Sequence, residues 1–269
     1  MADRAKVDLA VTAIYRWEAD YLREWVAFHR LVGVERFFLY DNRSEDSHRV
    51  ELAPFIADGS VVLHDWPMFP GQAPANNHCL AKHGAEARWI AFIDVDEFLF
   101  SPTGRPVPEV LERFADRPGV GVSRAWMGTA GHERKPDGPV LANFDSRLDL
   151  PEPNLAVKCI VDPERVARRV NEHWFEFLDG EPPVDEHGRA LTSWFRDELT
   201  FDTLRINHYF TKSEEEAARK FERPSAGNNL LRGELNLQAL RRRNATYGRP
   251  DQAIQQYLPA LERSLAELK

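Results

Sequence analysis

Residues 88–98 read Arg-Trp-Ile-Ala-Phe-Ile-Asp-Val-Asp-Glu-Phe, an apolar run from Arg88 to Ile93 that passes straight into the acids Asp94, Asp96 and Glu97. A short apolar run bounded by polar residues is the pattern of a buried strand. Three runs of the same kind precede it, Val7–Tyr15, Arg36–Tyr40 and Ser60–His64. Helical patterns lie between them. In Glu18–Val32, residues Leu22, Trp25, Phe28, His29 and Val32 recur at steps of three and four as one apolar stripe, and Gly33 is placed to cap its end. His48–Ala57 and Asn76–Ala87 read as the next two helices. This alternation predicts an α/β protein with a mostly parallel sheet, helices on both faces and right-handed crossovers. Ligands of such sheets bind beyond the carboxyl ends of the strands. Those ends are Arg16–Glu18, Asp41–Asp46, Asp65–Gln72 and Asp94–Glu97, and all four are polar.

The rest of the chain is less regular. Val107–Ala115 reads as a helix, Val120–Met127, Leu155–Val161 and Leu204–Tyr209 as strands, and Gly128–Pro139 as a loop. Ser213 and Glu216 have the S-x-x-E spacing of a capping box at a helix start, and Asp251–Lys269 reads as an amphipathic helix. The expected organisation is one continuous unit: a ligand-binding half at 1–105, a second half at 106–225 and a helical tail at 226–269.

Of 269 residues, 43% are apolar, enough for a full core without disulfides or a structural metal. Acids outnumber bases 43 to 35, a net charge of -8, which argues against a nucleic-acid partner. Cys79 and Cys159 have no metal-type spacing and read as free thiols of a reducing compartment. Met1–Asp8 lacks the apolar stretch of a signal peptide, and no run reaches the ~18 apolar residues of a membrane span. The expectation is a cytoplasmic protein without a transmembrane segment, or one peripheral to the inner face of a membrane.

Alternate residues of an extended chain point the same way, so Asp94 and Asp96 can face one site. Two hard oxygen donors suit Mg²⁺ or Mn²⁺, ions that share their coordination with substrate phosphates. The competing reading is a chance D-x-D in which one acid caps a turn. Asp41 and Asp46 flank the loop after the second strand, where a carboxylate accepts from a ribose or base, or simply makes an Asx turn. His208, in Asn207-His208-Tyr209-Phe210-Thr211-Lys212-Ser213, offers an imidazole to complete a Mn²⁺ site; Lys212 and Lys220 offer charge to phosphates. The competing reading is a buried histidine satisfied by backbone. No H-E-x-x-H, G-x-S-x-G, G-x-G-x-x-G or Walker-type loop occurs. His78 and His83 are five apart, the wrong spacing for one helical face, so they predict no zinc set.

Several segments in order resemble bacterial glycosyltransferase family 2-like proteins related to glycosyltransferase family 92. They are Glu18 with Tyr21-Leu22-x-Glu24-Trp25-x-x-Phe28-His29, Gly33-Val34-x-x-Phe37, Tyr40-Asp41-Asn42-x-Ser44, Gln72, Trp89 to Phe98, Trp126-x-Gly128-x-x-Gly131-His132, Lys158, His173 and Asn207 to Ser213. The D-x-D-E-F strand end and the N-H-Y-x-T-K-S segment are the most specific. The resemblance implies a GT-A fold, a nucleotide-sugar donor, a divalent metal and transfer to a saccharide or glycolipid hydroxyl, with inversion. It implies that Glu18, Asp41, Gln72, Asp94, Lys158 and Lys212 bind the nucleotide-sugar and that Asp94, Asp96 and His208 hold the metal. His132 and His173 would orient acceptor or phosphates. No residue pattern singles out the base; Glu133 and Asp145 are the candidates. Relatives carry Asn-Glu after the first strand, where this chain has Trp17-Glu18. Two rival readings share these acids. One is a sugar-phosphate nucleotidyltransferase, which would need a Gly-rich N-terminal loop; the other is a degenerate, non-catalytic GT-A carbohydrate-binding protein.

Overall fold

A computed structural model describes residues 6–151, 155–222 and 237–268. Its first part alternates as expected: β1 (Val7–Tyr15), α1 (Ala19–Leu31), β2 (Arg36–Asp41), α2 (His48–Ala57), β3 (Val61–Asp65), α3 (Gln72–His83) and β4 (Ala87–Phe92). These strands are parallel and lie in the order β3-β2-β1-β4. Tyr15 pairs with Asp41 and Asp41 with Asp65, so the carboxyl ends share one edge. Both faces are covered. Leu9, Val11 and Ala13 of β1 pack with Trp25 and Phe28 of α1 and Phe55 of α2, while Ala10 and Ile14 pack with Ala75 and Cys79 of α3. Burial on both sides is why these strands read as continuous apolar runs rather than as alternation.

Helix α1 ends where the sequence places its stop. Gly33 follows with φ of 101°, and a Cβ there would lie 2.6 Å from Pro108 Cδ, so glycine answers both a left-handed turn and a close approach. His29 of the apolar stripe is a satisfied core histidine. Its Nδ1 is 2.8 Å from Trp25 O, its Nε2 accepts from Leu99 N at 3.1 Å, and burial pushes its pKa down to about 3, keeping it neutral.

The remaining elements are β5 (Glu97–Phe100), α4 (Val107–Leu111), β6 (Gly119–Val122), β7 (Arg124–Trp126), α5 (Val140–Asn143), β8 (Ser146–Leu148), β9 (Lys158–Val161), β10 (Val166–Arg169), β11 (Phe175–Phe177), β12 (Arg205–His208), α6 (Glu214–Glu222), α7 (Leu237–Tyr247), β13 (Gly248–Pro250) and α8 (Leu258–Glu267). Strand β9 joins β4 antiparallel and β6 joins β9, completing a six-stranded, mostly parallel sheet. A second sheet, β5-β12-β7, starts immediately past the acid pair.

Three expectations need correction. Val120–Met127 is not one strand: the chain leaves the large sheet at Ser123, whose carbonyl accepts from Ile206 N at 3.1 Å, and β7 enters the small sheet. Periodicity cannot see such a change of sheet, because both halves are equally buried. The helix expected over Asn76–Ala87 spans Gln72–His83. The terminal helix covers Leu258–Glu267 only. The start of the expected tail, residues 226–236, lies outside the described residues.

Candidate active site at the carboxyl edge of the sheet

Asp94 and Asp96 follow β4 in the link to β5, where the chain passes from one sheet to the other. Asp94 Oδ2 accepts from Lys158 Nζ at 2.8 Å and Oδ1 from Gln72 Nε2 at 3.3 Å. Burial alone would raise this carboxyl; the Lys158 ammonium outweighs it and holds the carboxyl below its ordinary range. Lys158 answers symmetrically. Burial works against its charge, and Asp94 and Glu97 reverse that, so its pKa is raised. Asp96 makes an ion pair with Lys220 from α6, and its Oδ1 lies 3.6 Å from His208 Nε2. Burial again works against the charge, but Lys220 and His208 hold the Asp96 carboxyl well below its usual value. Lys220 Nζ also donates to Phe210 O at 2.9 Å.

His208 and Phe210 close with Trp126 into an aromatic group, ring centroids 5.2 to 5.6 Å apart. The buried Nδ1 of His208 has no hydrogen-bond partner among the described residues. Asp96 Oδ1 and His208 Nε2 face each other and supply the oxygen and nitrogen donors that a divalent cation takes, while the Lys220 ammonium neutralises the same carboxylate and would have to yield to the ion. Asp94 is drawn instead toward Lys158 and Gln72.

Beside Lys220 a cleft of about 260 Å³ opens, lined by Trp17, Glu18, Tyr21, Thr211, Lys212 and Lys220 among others. Lys212 Nζ stands 3.7 Å over the Tyr21 ring and 3.9 Å from Glu18 Oε2. Trp17 and Lys212 have φ of 58° and 51°, an uncommon backbone region for residues with a Cβ and one that concentrates at functional sites. Trp17 is 38% exposed at this cleft.

At the end of β2, Asp41 Oδ1 accepts from Ser44 N at 2.9 Å, a turn contact, and Oδ2 lies 3.7 Å from the buried Nε2 of His48. Asp46 caps α1 from a distance, accepting from Ala19 N at 3.0 Å. The two strand-end loops are thereby tied together, a link reinforced by Trp17 N donating to Ser44 Oγ at 2.9 Å.

Other candidates lie in less convergent places. His132 is held by Asn143 O at 3.0 Å and His173 by Val157 O at 2.8 Å. Burial, then Lys158 and Arg124, push His173 down to about 4, so it is neutral. Glu133 is exposed, its carbonyl accepting from Glu215 N at 3.0 Å, and Asp145 O accepts from Asp251 N at 2.7 Å. Sequence reasoning passed over Glu97 and Arg124. Glu97 is fully buried, accepts from Arg124 Nη1 at 3.2 Å and from Asp94 N at 2.9 Å, and stands 3.5 Å from Lys158 Nζ. The signal was an acid inside an apolar segment, Val95 to Phe100, which must be paired if it is buried.

The buried strand β4 thus ends in paired acids with lysines around them, at the carboxyl edge of a mostly parallel sheet, the edge where such α/β domains bind their ligands. Residues 6–232 match the model of glycosyltransferase family 92, and the chain belongs to that family. The chain is 32% identical over 162 residues to a glycosyltransferase family 92 protein of Oryza sativa subsp. japonica, covering 58% of this chain and 27% of that protein. It is 29% identical over 143 residues to galactan beta-1,4-galactosyltransferase GALS1 of Arabidopsis thaliana, covering 49% of this chain and 27% of that one. The chain therefore spans about a fifth to a third of the curated relatives it matches. Among solved structures, glucosyl-3-phosphoglycerate synthase from Mycobacterium tuberculosis in complex with Mn²⁺ and uridine-diphosphate-glucose is similar at a TM-score of 0.38 and 16% identity, covering 71% of this chain and 72% of that one. Among the described residues no helix is long and apolar enough to cross a membrane.

Proposed function

We propose that this chain is a divalent-cation-dependent glycosyltransferase that moves a sugar from a nucleoside diphosphate sugar to an acceptor hydroxyl with inversion. The observation that carries the reading is Asp96, buried at the sheet edge, facing His208 and drawing an ammonium to its carboxylate. Asp96 and His208 would hold Mn²⁺ or Mg²⁺, with Asp94 beside them; when bound, the ion supplies Lewis-acid stabilisation of the leaving diphosphate. Lys158, Lys212 and Lys220 add positive charge where the diphosphate oxygens gain negative charge. Asp41, Glu18 and Gln72 bind the nucleotide end of the donor, and the exposed ring of Trp17 offers the base a stacking face.

Transfer forms a bond from the acceptor oxygen to the anomeric carbon as the bond to the diphosphate oxygen breaks, and the acceptor's proton passes to a carboxylate. Glu133 and Asp145 are the carboxylates we assign as candidates for that proton. His132 and His173 orient acceptor or phosphates, and Trp126 gives a saccharide acceptor an aromatic wall. Work at the cytoplasmic face of a membrane, on a polysaccharide or glycolipid, belongs to the same proposal. The galactosyltransferase named among the relatives makes galactose the first sugar to try in the donor.

The test is thermal unfolding with UDP, GDP, CDP or dTDP, each with and without Mn²⁺. One diphosphate should raise Tm only with metal, by an amount equivalent to about 2.7 kcal/mol at 100 times its Kd. Asp96→Asn should lose that shift; because it also strands the partly buried Lys220 ammonium, its Tm without ligand should fall, and the shift is read against that lower baseline. No shift with any diphosphate would refute nucleotide dependence, and an unchanged shift in Asp96→Asn would remove Asp96 from the metal site.

A further inference from the structure

His64 of β3 and His78 and His83 of α3 bring one ligand atom each within 4.8 Å of one another. The sequence spacing of five between His78 and His83 argued against this. It fails because His83 is the last residue of α3 and the chain tightens there into a 3₁₀ turn, while His64 arrives from the neighbouring strand. His64 Nε2 and His83 Nε2 are 3.0 Å apart. Two of the three rings are tied at their Nδ1: that of His83 meets Glu86 Oε1 at 2.6 Å, and that of His78 meets the Tyr40 hydroxyl at 2.9 Å. Contacts of a ring nitrogen with a carboxylate or hydroxyl are the outer shell that orients metal-binding histidines. The rings are fixed by stacking, His83 on Phe38 at 4.1 Å and His64 on Tyr40 at 4.8 Å.

We propose that His64, His78 and His83 form a site for a divalent transition cation of the zinc class, separate from the acid pair, that clamps α3 onto β3. Three neutral imidazoles select borderline cations such as Zn²⁺ or Co²⁺ over Mg²⁺, and partial exposure of His64 and His78 leaves room for water as fourth ligand. Lys82 is the charge that works against a cation here, and the Glu86 carboxylate counters it. Binding needs only that the proton shared by His64 Nε2 and His83 Nε2 move to His64 Nδ1, a change of tautomer with no net charge. The other three-donor group among the described residues, Glu186, His187 and Asp202, is different. There the Glu186 carboxylate is already filled by the backbone N–H groups of Asp202, Thr203 and Leu204. The clamp bears on the candidate active site through α3 itself, whose first residue, Gln72, donates to Asp94.

The test is visible-absorption titration of chelator-stripped protein with Co²⁺, whose ligand-field bands report four-coordinate imidazole ligation. Wild type and Asp96→Asn should show the same saturable band. His78→Ala, at a half-exposed position, should weaken Co²⁺ binding by at least about tenfold. His64→Gln, which keeps a donor toward His83, is the second variant and should lose the band likewise if His78→Ala fails to fold. Zn²⁺ should bleach the band and raise Tm. A band absent from wild type, unchanged in the folded histidine variants, or lost in Asp96→Asn alone would overturn the proposal.

Discussion

Glu97→Gln is the substitution whose consequence the structure specifies best. The Glu97 side chain is 0% exposed and that of Arg124 4%, and the Lys158 ammonium stands 3.5 Å from the same carboxylate. Two buried cations, Arg124 and Lys158, face two carboxylates, Glu97 and Asp94. Gln keeps the shape but only one oxygen: set toward Asp94 N, it turns its amide NH₂ toward the Arg124 guanidinium, so the change removes the charge and one acceptor. It leaves two buried cations with one anion. Removing one partner of a buried pair costs about 3–5 kcal/mol, because the stranded charge keeps its desolvation penalty. That is a large share of the roughly 5–15 kcal/mol that stabilises a typical protein. At about 2–4 °C per kcal/mol for a protein near this size, Tm should fall by about 6 to 20 °C. The assay is urea unfolding with linear extrapolation, beside a thermal scan. Arg168→Ala is the control. It breaks an exposed pair with Glu176, side chains 62% and 50% exposed, and should cost under about 1 kcal/mol. If Glu97→Gln costs no more than Arg168→Ala, the buried network is not what holds the acid pair in place.

Two further outcomes follow from burial. Glu24, buried in α1, accepts from Val140 N at 2.8 Å and Leu141 N at 3.2 Å, yet burial prevails and raises its pKa from 4.5 to about 7. The folded state then binds more protons than the unfolded state between those values, so this group's contribution to stability is present below pH 4.5 and falls as pH rises to 7. The stability of wild type relative to Glu24→Gln should drop across that window by about 3 kcal/mol, and a flat or rising difference would refute the assignment. Cys79 and Cys159 are buried thiols pushed up to about 12 by that burial, so neither should react with a thiol reagent at neutral pH until the protein is unfolded, when both should. A native-state reaction at either would contradict the packing.

Much of the first half was legible because its signals are local. Apolar runs Val7–Tyr15, Arg36–Tyr40 and Arg88–Ile93 are strands because a doubly covered sheet needs apolar side chains on both faces. The capping box was equally readable: Glu216 N donates to Ser213 Oγ at 3.3 Å, and Ser213 N donates to Glu216 Oε2 at 3.2 Å. The site was legible only as far as its chain-local part, the acids beyond β4. Lys220 was visible as a loose positive charge near a helix start; that it pairs with Asp96 depends on how α6 docks, 124 residues away in the chain.

What the sequence by itself determined is the repeating strand and helix order, the placement of Asp94 and Asp96 at a strand end, and the capped start of α6. Each rests on interactions within a few residues, which spacing encodes directly. Only the tertiary structure decided that the run after Val120 changes sheet at Ser123, that Glu97 is buried between Arg124 and Lys158, and that His64 meets His78 and His83. Those contacts join elements distant in sequence. Which side chains meet there depends on crossover order, strand register and the last turn of a helix, and none of these leaves a periodic trace in the chain.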